Sequence, residues 1–352
     1  MPPKKSKAKA SSLPSHPKQE DETKKVEQAA EEENNDAAEE PPAENGTADT
    51  KKRKTPPTSG KSQPPKKEPR QGSRTSSRTA GASSFATSRQ LLNFLLSKDS
   101  LPYCFPEDEL KAARSDKNLR TYSLTSPGEF SAFEQLLIAH LLSKPLSHTL
   151  GMRSIRTLLN PPYSFTTPEK IVEVGKDKVW EALETARTQH RQKTASYIYQ
   201  MGQEYTDSDT MLALAEAAND EGHDGVVAHI KETIKGMGAT GAELFCRRIQ
   251  SVDGWGEAIW PCSDARCLGA LREIGVNVKS ADELQSMLES DIDWQKIGDM
   301  GLNEKKISKG ELANEDMELQ VAAEFVVVLE RAVGAQLEGK ISELKKAAES
   351  WK

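Results

Sequence analysis

The chain has no long hydrophobic run and few cysteines. No stretch of about 18 consecutive apolar residues occurs among its 352 residues, so the sequence predicts no transmembrane helix. The N-terminus also lacks the apolar segment of a secretory signal peptide. Four cysteines are too few for a disulfide scaffold and fit a reducing compartment. We therefore expect a protein that has no membrane contact and is folded by a hydrophobic core.

Phe, Trp and Tyr are absent from residues 1–84. The large apolar side chains of this segment are Met1, Leu13 and Val26. A segment with so little to bury cannot offset the entropy that it loses on ordering, so we expect it to be disordered. Residues 85–352 hold every Phe, Trp and Tyr and form the predicted helical domain.

Charge is segregated along the chain. Residues 1–84 hold 17 basic and 13 acidic side chains, whereas the remainder holds 31 basic and 41 acidic ones. Two basic clusters, Lys51–Lys54 and Lys66–Lys67, are separated by a proline-containing spacer of eleven residues. This pattern predicts binding to a nuclear import receptor, and hence a nuclear protein, and it also suits DNA phosphates. The alternative is a solvating linker without a receptor.

Apolar residues from 85 onward recur at spacings of three and four, which is typical of helices. Pro and Gly interrupt this pattern often, so the predicted fold class is all-α, a bundle of many short helices. The run 325–328, FVVV, favours a strand locally but lies within a helical pattern over 317–333. We predict a buried helix there that packs against the N-terminal half of the domain. Residues 340–352 are expected to fray or to cap the bundle.

The most informative stretch is 226–250, which predicts two helices joined by a tight Gly-x-Gly turn. Glycine permits positive φ in such a turn, and its missing side chain lets a phosphate approach the N–H groups that begin the second helix. Lys235, Arg247 and Arg248 are expected to attract neighbouring phosphates. The alternative is a helical hairpin that packs in the bundle without a ligand.

Three stretches in the same order resemble the helix-hairpin-helix DNA glycosylase superfamily, which includes endonuclease III. Residues 234–242, IKGMGATGA, resemble its LPGVGxxTA hairpin, and 133–143, FEQLLIAHLLS, resemble the helix that opens its six-helix barrel. Residues 264–275, DARCLGALREIG, are similar to its DTHVxRVxxRLG helix. The resemblance implies a fold of that type that binds double-stranded DNA. The DNA-binding residues that it implies are Lys235, Gly236, Met237, Gly238, Ala239, Thr240 and Gly241.

The resemblance places Asp264 at the position of the catalytic aspartate. When an N-glycosidic bond breaks, positive charge develops on the sugar, and a carboxylate stabilises it while orienting the attacking water. The base must first be flipped out of the duplex into a pocket. Asp264 also precedes a helical pattern and suits an N-cap equally well. Asp253 is a rival carboxylate, but glycines follow it where the family continues into a helix.

The chain departs from the family at three places. Thr240 occupies the position of the Schiff-base lysine, so no lyase step is expected. Residues 143–145, Ser-Lys-Pro, replace the segment that supplies a glutamine wedge. No cysteine follows Cys267, so the iron–sulfur loop is absent, and we expect no metal and no cofactor. The predicted activity is therefore a monofunctional glycosylase for a damaged or mismatched base. A non-catalytic DNA-binding or chromatin module and a helical interaction scaffold are the alternatives.

Two tryptophans, a basic and aromatic stretch and the histidines are also relevant to function. Trp255 and Trp260 lie in an insertion and either pack into the core or contact DNA. Residues 188–199 form either a basic and aromatic surface for DNA or a solvated helix face. The six histidines show no spacing that is typical of a metal site or a catalytic triad.

Overall fold

The computed structural model describes residues 86–303 and 314–351, with side chains omitted for 314–319. Within these ranges every regular element is helical, which confirms the predicted all-α fold class. The predictions for residues 1–84, namely disorder and two basic clusters, lie outside the described residues. No helix in the described ranges is long and apolar enough to cross a bilayer.

Fifteen α-helices and two short 3₁₀ helices make up the described part of the chain. The α-helices of the first half are α1 (Ser88–Leu96), α2 (Leu101–Cys104), α3 (Glu107–Ser115), α4 (Ala132–Leu142), α5 (His148–Leu159), α6 (Pro168–Thr185) and α7 (Arg191–Tyr205). The remaining α-helices are α8 (Ser208–Thr233), α9 (Ala239–Ile249), α10 (Gly256–Ile259), α11 (Ala265–Ile274), α12 (Ala281–Asp291), α13 (Trp294–Ile297), α14 (Asn314–Leu337) and α15 (Ile341–Ser350).

Short polar side chains start most of the longer helices. Their oxygens accept hydrogen bonds from first-turn N–H groups, which satisfies donors that have no partner inside the helix. At α4 the cap is reciprocal, because Ser131 accepts from the Glu134 N–H while the Glu134 carboxylate accepts from the Ser131 N–H. The other residues that cap in this way are Thr87, Ser147, Thr167, Asp207, Asp264, Ser280 and Asp293.

Helices α4 to α9 form a closed ring. Each helix of this ring contacts the next one along the chain, and α9 returns to pack against α4. The core of the ring includes Leu137 on α4, Ile198 on α7 and Phe245 on α9, all fully buried. This six-helix ring positions the predicted hairpin, because the hairpin is formed by its last two members.

A second helical group draws on both ends of the described chain. Its centre is α14, which contacts α1, α2, α11 and α12 and buries Phe325 and Val328. The prediction that 325–328 belongs to a buried helix that packs on the N-terminal half is therefore confirmed. Of the two alternatives predicted for 340–352, fraying is wrong, because Ile341–Ser350 form α15, which buries Leu344 and Ala348 in this group.

Candidate active site

A cleft of about 590 Å³ opens between the six-helix ring and the second helical group. From the ring, its walls come from the segment that joins α4 to α5 and from one side of α9. From the second group they come from the start of α11 and the last turns of α14. Its volume is within the range of about 300–1,000 Å³ that small-molecule sites occupy. The cleft is therefore large enough to hold a small ligand or a single nucleotide base.

The hairpin has the predicted geometry. Helix α8 ends at Thr233, and α9 begins at Ala239 after a turn in which Gly236 has φ of 75°. The backbone of α8 is non-helical at Gly222, where φ is 61° and ψ is −139°, so the straight helical segment that leads into the turn follows this kink, close to the predicted start at 226. Gly238 is the N-cap of α9 and provides no side-chain oxygen to its first-turn N–H groups. The Gly241 N–H donates to the Gly238 carbonyl at 3.0 Å, so the exposed donors at this helix terminus are the N–H groups of Ala239 and Thr240.

Tyr197 and Lys144, two residues of the six-helix ring, contact Gly236 in the turn. A Cβ on Gly236 would lie 2.3 Å from the Tyr197 ring, so only glycine allows this close packing. Lys144 donates to the Gly236 carbonyl, and its Nζ lies 5.6 Å from the centroid of Tyr197. Lys193 approaches the same ring at 5.7 Å. Burial, followed by repulsion from Lys193, lowers the pKa of Lys144 to about 8.

The seven predicted DNA-binding residues divide into an exposed set and a buried pair. Met237 is buried, and Gly241 packs against it so closely that a Cβ would lie 2.6 Å from the methionine Cγ. These two residues anchor the turn to the core and present no side chain to a ligand. The exposed members are Lys235, Gly236, Gly238, Ala239 and Thr240.

Asp264 lies in the wall of the cleft and is also the N-cap of α11. Its Oδ1 accepts from the Cys267 N–H at 2.8 Å, and its Oδ2 accepts from Arg247 Nη1 at 3.0 Å. The side chain remains 13% exposed. Thr240 lines the same cleft, so the hairpin and the predicted catalytic carboxylate meet there. The structure shows that Asp264 caps a helix and faces the cleft at once, so the two predicted roles are compatible.

The carboxyl of Asp264 is held in its ionised form. Burial raises its pKa, but the Arg247 guanidinium and the Cys267 N–H outweigh that effect, and the net pKa lies below the ordinary aspartate value. At neutral pH the cleft therefore contains a carboxylate that accepts hydrogen bonds and attracts positive charge. It is a poor proton acceptor, because the same contacts that ionise it also reduce its basicity.

The prediction that Arg247 and Arg248 attract DNA phosphates is wrong. Their side chains are 3% and 0% exposed, respectively. Arg248 Nη1 donates to both oxygens of Glu330 at 2.5 and 2.6 Å, while Tyr122 donates to the same carboxylate at 2.5 Å. The sequence contained a signal for Arg248, since it follows Phe245 at a spacing of three and so shares the buried face of α9. Arg247 pairs with Asp264 in the cleft wall and Arg248 pairs with the buried Glu330, so neither is available to a phosphate.

Three residues of the cleft were not predicted from the sequence. Tyr122, His148 and Glu330 all line it, and they come from the loop before α4, from α5 and from α14. Their distance along the chain left no pattern that links them to Asp264. Asp253, the rival carboxylate, is exposed in the turn after α9 and does not line the cleft.

The two tryptophans of the insertion and the stretch 188–199 pack against other parts of the domain. Trp255 is buried and packs edge-on against Phe245 with ring centroids 5.8 Å apart, and the Trp260 ring packs on Phe325 at 4.8 Å. The prediction that these rings pack into the core is confirmed. In 188–199, Tyr197 supports the hairpin, as described above.

Four buried cysteine thiols lie in the described ranges, and no cluster of His, Cys, Asp and Glu there has the arrangement of a metal site. Burial raises the pKa of the Cys267 thiol, which lies 3.3 Å from Asp264, to about 12. This thiol is therefore protonated beside the carboxylate. No protein family model, curated protein or solved structure matches the chain.

Proposed function

We propose that this protein is a monofunctional DNA glycosylase that hydrolyses the N-glycosidic bond of a damaged or mismatched base flipped out of duplex DNA. The observation that carries the proposal is the meeting of two features in one cleft. Asp264 provides an ionised carboxylate in its wall, and Thr240 brings the exposed start of α9 to the same place. The motifs that resemble helix-hairpin-helix glycosylases contribute both residues.

DNA binding is assigned to the exposed start of α9. The N–H groups beside Gly238 carry the positive end of the helix dipole, and glycine lets a phosphate oxygen reach them. Lys193 and Lys235 are exposed near this turn and add screened attraction for adjacent phosphates. The rest of the domain is acidic, so binding depends on this local patch.

The chemical step uses Asp264 against charge that develops on the sugar. The bond from C1′ to the base nitrogen breaks, the base leaves with the electron pair, and a water oxygen forms the new bond to C1′, while the proton that this water loses passes through solvent to the departing base. The Asp264 carboxylate stabilises the cationic sugar and orients that water through a hydrogen bond. Thr240 offers no amine, so the sugar is attacked by water and no strand cleavage follows.

A second function is favoured by one observation. The Arg247 guanidinium lies 3.0 Å from the Asp264 carboxylate and offsets its charge. An aspartate neutralised in this way suits a domain that binds DNA without catalysis, with Asp264 as a structural cap. The choice between the two functions depends on whether the carboxylate reaches a reacting sugar in the bound complex.

Single-turnover base release separates the two functions. Duplexes that carry uracil, an alkylated base, an oxidised base or a mismatch are incubated with excess protein. We expect release from at least one of them, and Asp264→Asn should slow it by about 10²–10⁴-fold because it removes charge while it keeps a capping side chain. The exposed Asp253→Asn variant is the matched control and should retain full activity. Duplex binding without base release from any substrate would establish the non-catalytic module instead.

The nuclear assignment is part of the proposal. The clusters Lys51–Lys54 and Lys66–Lys67 suit the two basic subsites of an import receptor. Replacement of both clusters by glutamine in a fluorescent fusion should shift the protein to the cytoplasm, whereas replacement of the lysines at 4, 5, 7 and 9 should not. Unchanged nuclear accumulation would remove this part of the proposal.

A further inference from the structure

The cleft contains a second chemically competent side chain that the mechanism above leaves unused. His148 is the first residue of α5 and lines the cleft together with residues from α11. Its side chain is only 7% exposed and forms part of the cleft wall. A buried imidazole in the wall of a ligand-sized cavity is well placed to hydrogen-bond what enters it.

Glu338 holds the imidazole from behind. Its Oε1 lies 2.7 Å from His148 Nδ1, and its side chain is 16% exposed. The ring also packs against Phe105 with centroids 6.2 Å apart. An imidazole fixed through one nitrogen by a carboxylate and through its face by an aromatic ring keeps one orientation. Among the described residues, Nε2 has no hydrogen-bond partner.

The environment sets the hydrogen-bonding role of Nε2. A carboxylate oxygen only accepts, so Nδ1 carries the proton that it donates to Glu338. Burial lowers the pKa of His148, and Arg266 lowers it further, against the opposing effects of Glu338 and Glu330. The start of α5 also disfavours a cation at this position. The imidazole is therefore neutral at pH 7, and its Nε2 is an acceptor.

We propose, on the basis of the glycosylase function above, that His148 selects the extruded base by accepting a hydrogen bond at Nε2 from an amino or imino N–H of that base. The substrate class is thus a base that presents an N–H donor on its pairing edge. Met152, Leu244 and Val333 supply apolar wall against which the base ring packs. Asp264 acts on the sugar, so His148 adds selectivity without a part in bond cleavage.

The test compares bases that differ by a single donor. Duplexes carry adenine or purine, cytosine or 2-pyrimidinone, and uracil or 3-methyluracil at one defined position. Single-turnover release and duplex affinity are measured for the wild type, His148→Leu, His148→Gln and Glu338→Gln, with thermal unfolding to confirm that each variant is folded. In the preferred pair, the wild type should favour the donor-bearing base by about tenfold or more, since an unpaired acceptor in the site penalises its analogue.

The variants separate selection from support of the fold. His148→Leu should lower the release rate and the affinity for the donor-bearing base to the values of its analogue, and it should leave the values for the analogue unchanged. His148→Gln keeps an acceptor and should restore part of the preference. Glu338→Gln can donate as well as accept, so it frees the tautomer and should weaken the preference. If His148→Leu and His148→Gln slow both members of every pair equally, His148 has only a structural role.

The same data distinguish the failure of this inference from failure of the glycosylase. If duplex affinity shows a preference that depends on His148 but no base is released, the glycosylase activity is overturned and base selection by His148 is retained. If bases are released but neither release nor binding differs between the members of any pair, base selection by His148 is overturned and the glycosylase function is retained. If no duplex is bound and no base is released, both are overturned.

Discussion

Of the helix N-termini that line the cleft, those of α9 and α11 differ in how their first-turn N–H groups are satisfied. At α11 the side chain of Asp264 accepts from the Cys267 N–H, so the terminus is closed by its own chain. At α9 the equivalent position is Gly238, which has no side chain to accept anything. A closed terminus stabilises the fold, whereas an open one keeps its donors for an external anion. This difference supports the proposed anion binding at α9 and the proposed role of the Asp264 charge at α11.

The open terminus costs the fold little. Glycine at an N-cap is less stable than Ser, Asn or Asp by only a few tenths of a kcal/mol, whereas alanine costs about 0.5–2 kcal/mol. Glycine at 238 therefore leaves α9 nearly as stable as a capped helix. The neighbouring glycine has a different purpose, because Gly236 is in contact with Tyr197 and Gly238 has open space around it.

The largest expected effect separates the two glycines of the turn. Gly236→Ala places a Cβ against the Tyr197 ring at a residue with φ of 75°, so it combines overpacking with backbone strain. We expect a loss of about 2–4 kcal/mol in the free energy of unfolding. Gly238→Ala meets no atom within 4 Å and should change it by much less. Urea unfolding of both variants measures the difference, and equal losses would contradict the structure of the turn.

The next largest effect is expected from substitutions that give α9 a capping side chain at position 238. Gly238→Asp supplies a cap and should stabilise the fold by a few tenths of a kcal/mol. Its negative charge should nevertheless weaken duplex binding by about 10–100-fold, because it occupies the proposed phosphate site. Gly238→Asn provides a cap without charge and is the matched control for fluorescence anisotropy. Equal affinities for the Asp and Asn variants would show that no phosphate binds there.

A smaller effect concerns the lysine beside the turn. Lys193→Gln should reduce the slope of log affinity against log salt by about 0.9, the contribution of one phosphate contact. Lys178 is the control because its ammonium pairs with Glu181 at 2.8 Å on another helix of the ring. The slope for Lys178→Gln should equal that of the wild type. An unchanged slope for Lys193→Gln would exclude this residue from the DNA interface.

The smallest expected effect is the pH dependence of the stability that Asp264 contributes at the start of α11. The folded-state pKa of Asp264 lies below its unfolded value of about 3.9, so its charge stabilises the fold fully above that value. This contribution is lost as pH falls from there through the lower folded-state pKa. The difference in unfolding free energy between the wild type and Asp264→Asn should therefore be constant at neutral pH and narrow below about pH 4. A gap that narrows above pH 5 would contradict the ion pair with Arg247.

Local patterns predicted a large part of the fold. Spacings of three and four identified the helices, including the buried α14, because one apolar stripe must face the core. The turn at Gly236 was predictable because glycine is favoured where φ is positive. Arg247 and Arg248 were misassigned because their charge suggested exposure. The spacing from Phe245 indicated that Arg248 is buried, but its partner Glu330 on α14 and the partner of Arg247, Asp264 at the start of α11, follow only from tertiary packing.

The sequence by itself determined the helices, their caps and the glycine turn, since each depends on residues within about one turn of the chain. The tertiary structure decided which side chains share the cleft. His148 and Glu338 are 190 residues apart, and Arg247 and Asp264 are 17 apart on different helices, yet each pair lies within hydrogen-bond distance. Such pairings follow from how the ring and the α14 group pack together, because burial of apolar surface is non-directional and leaves no local pattern of its partners.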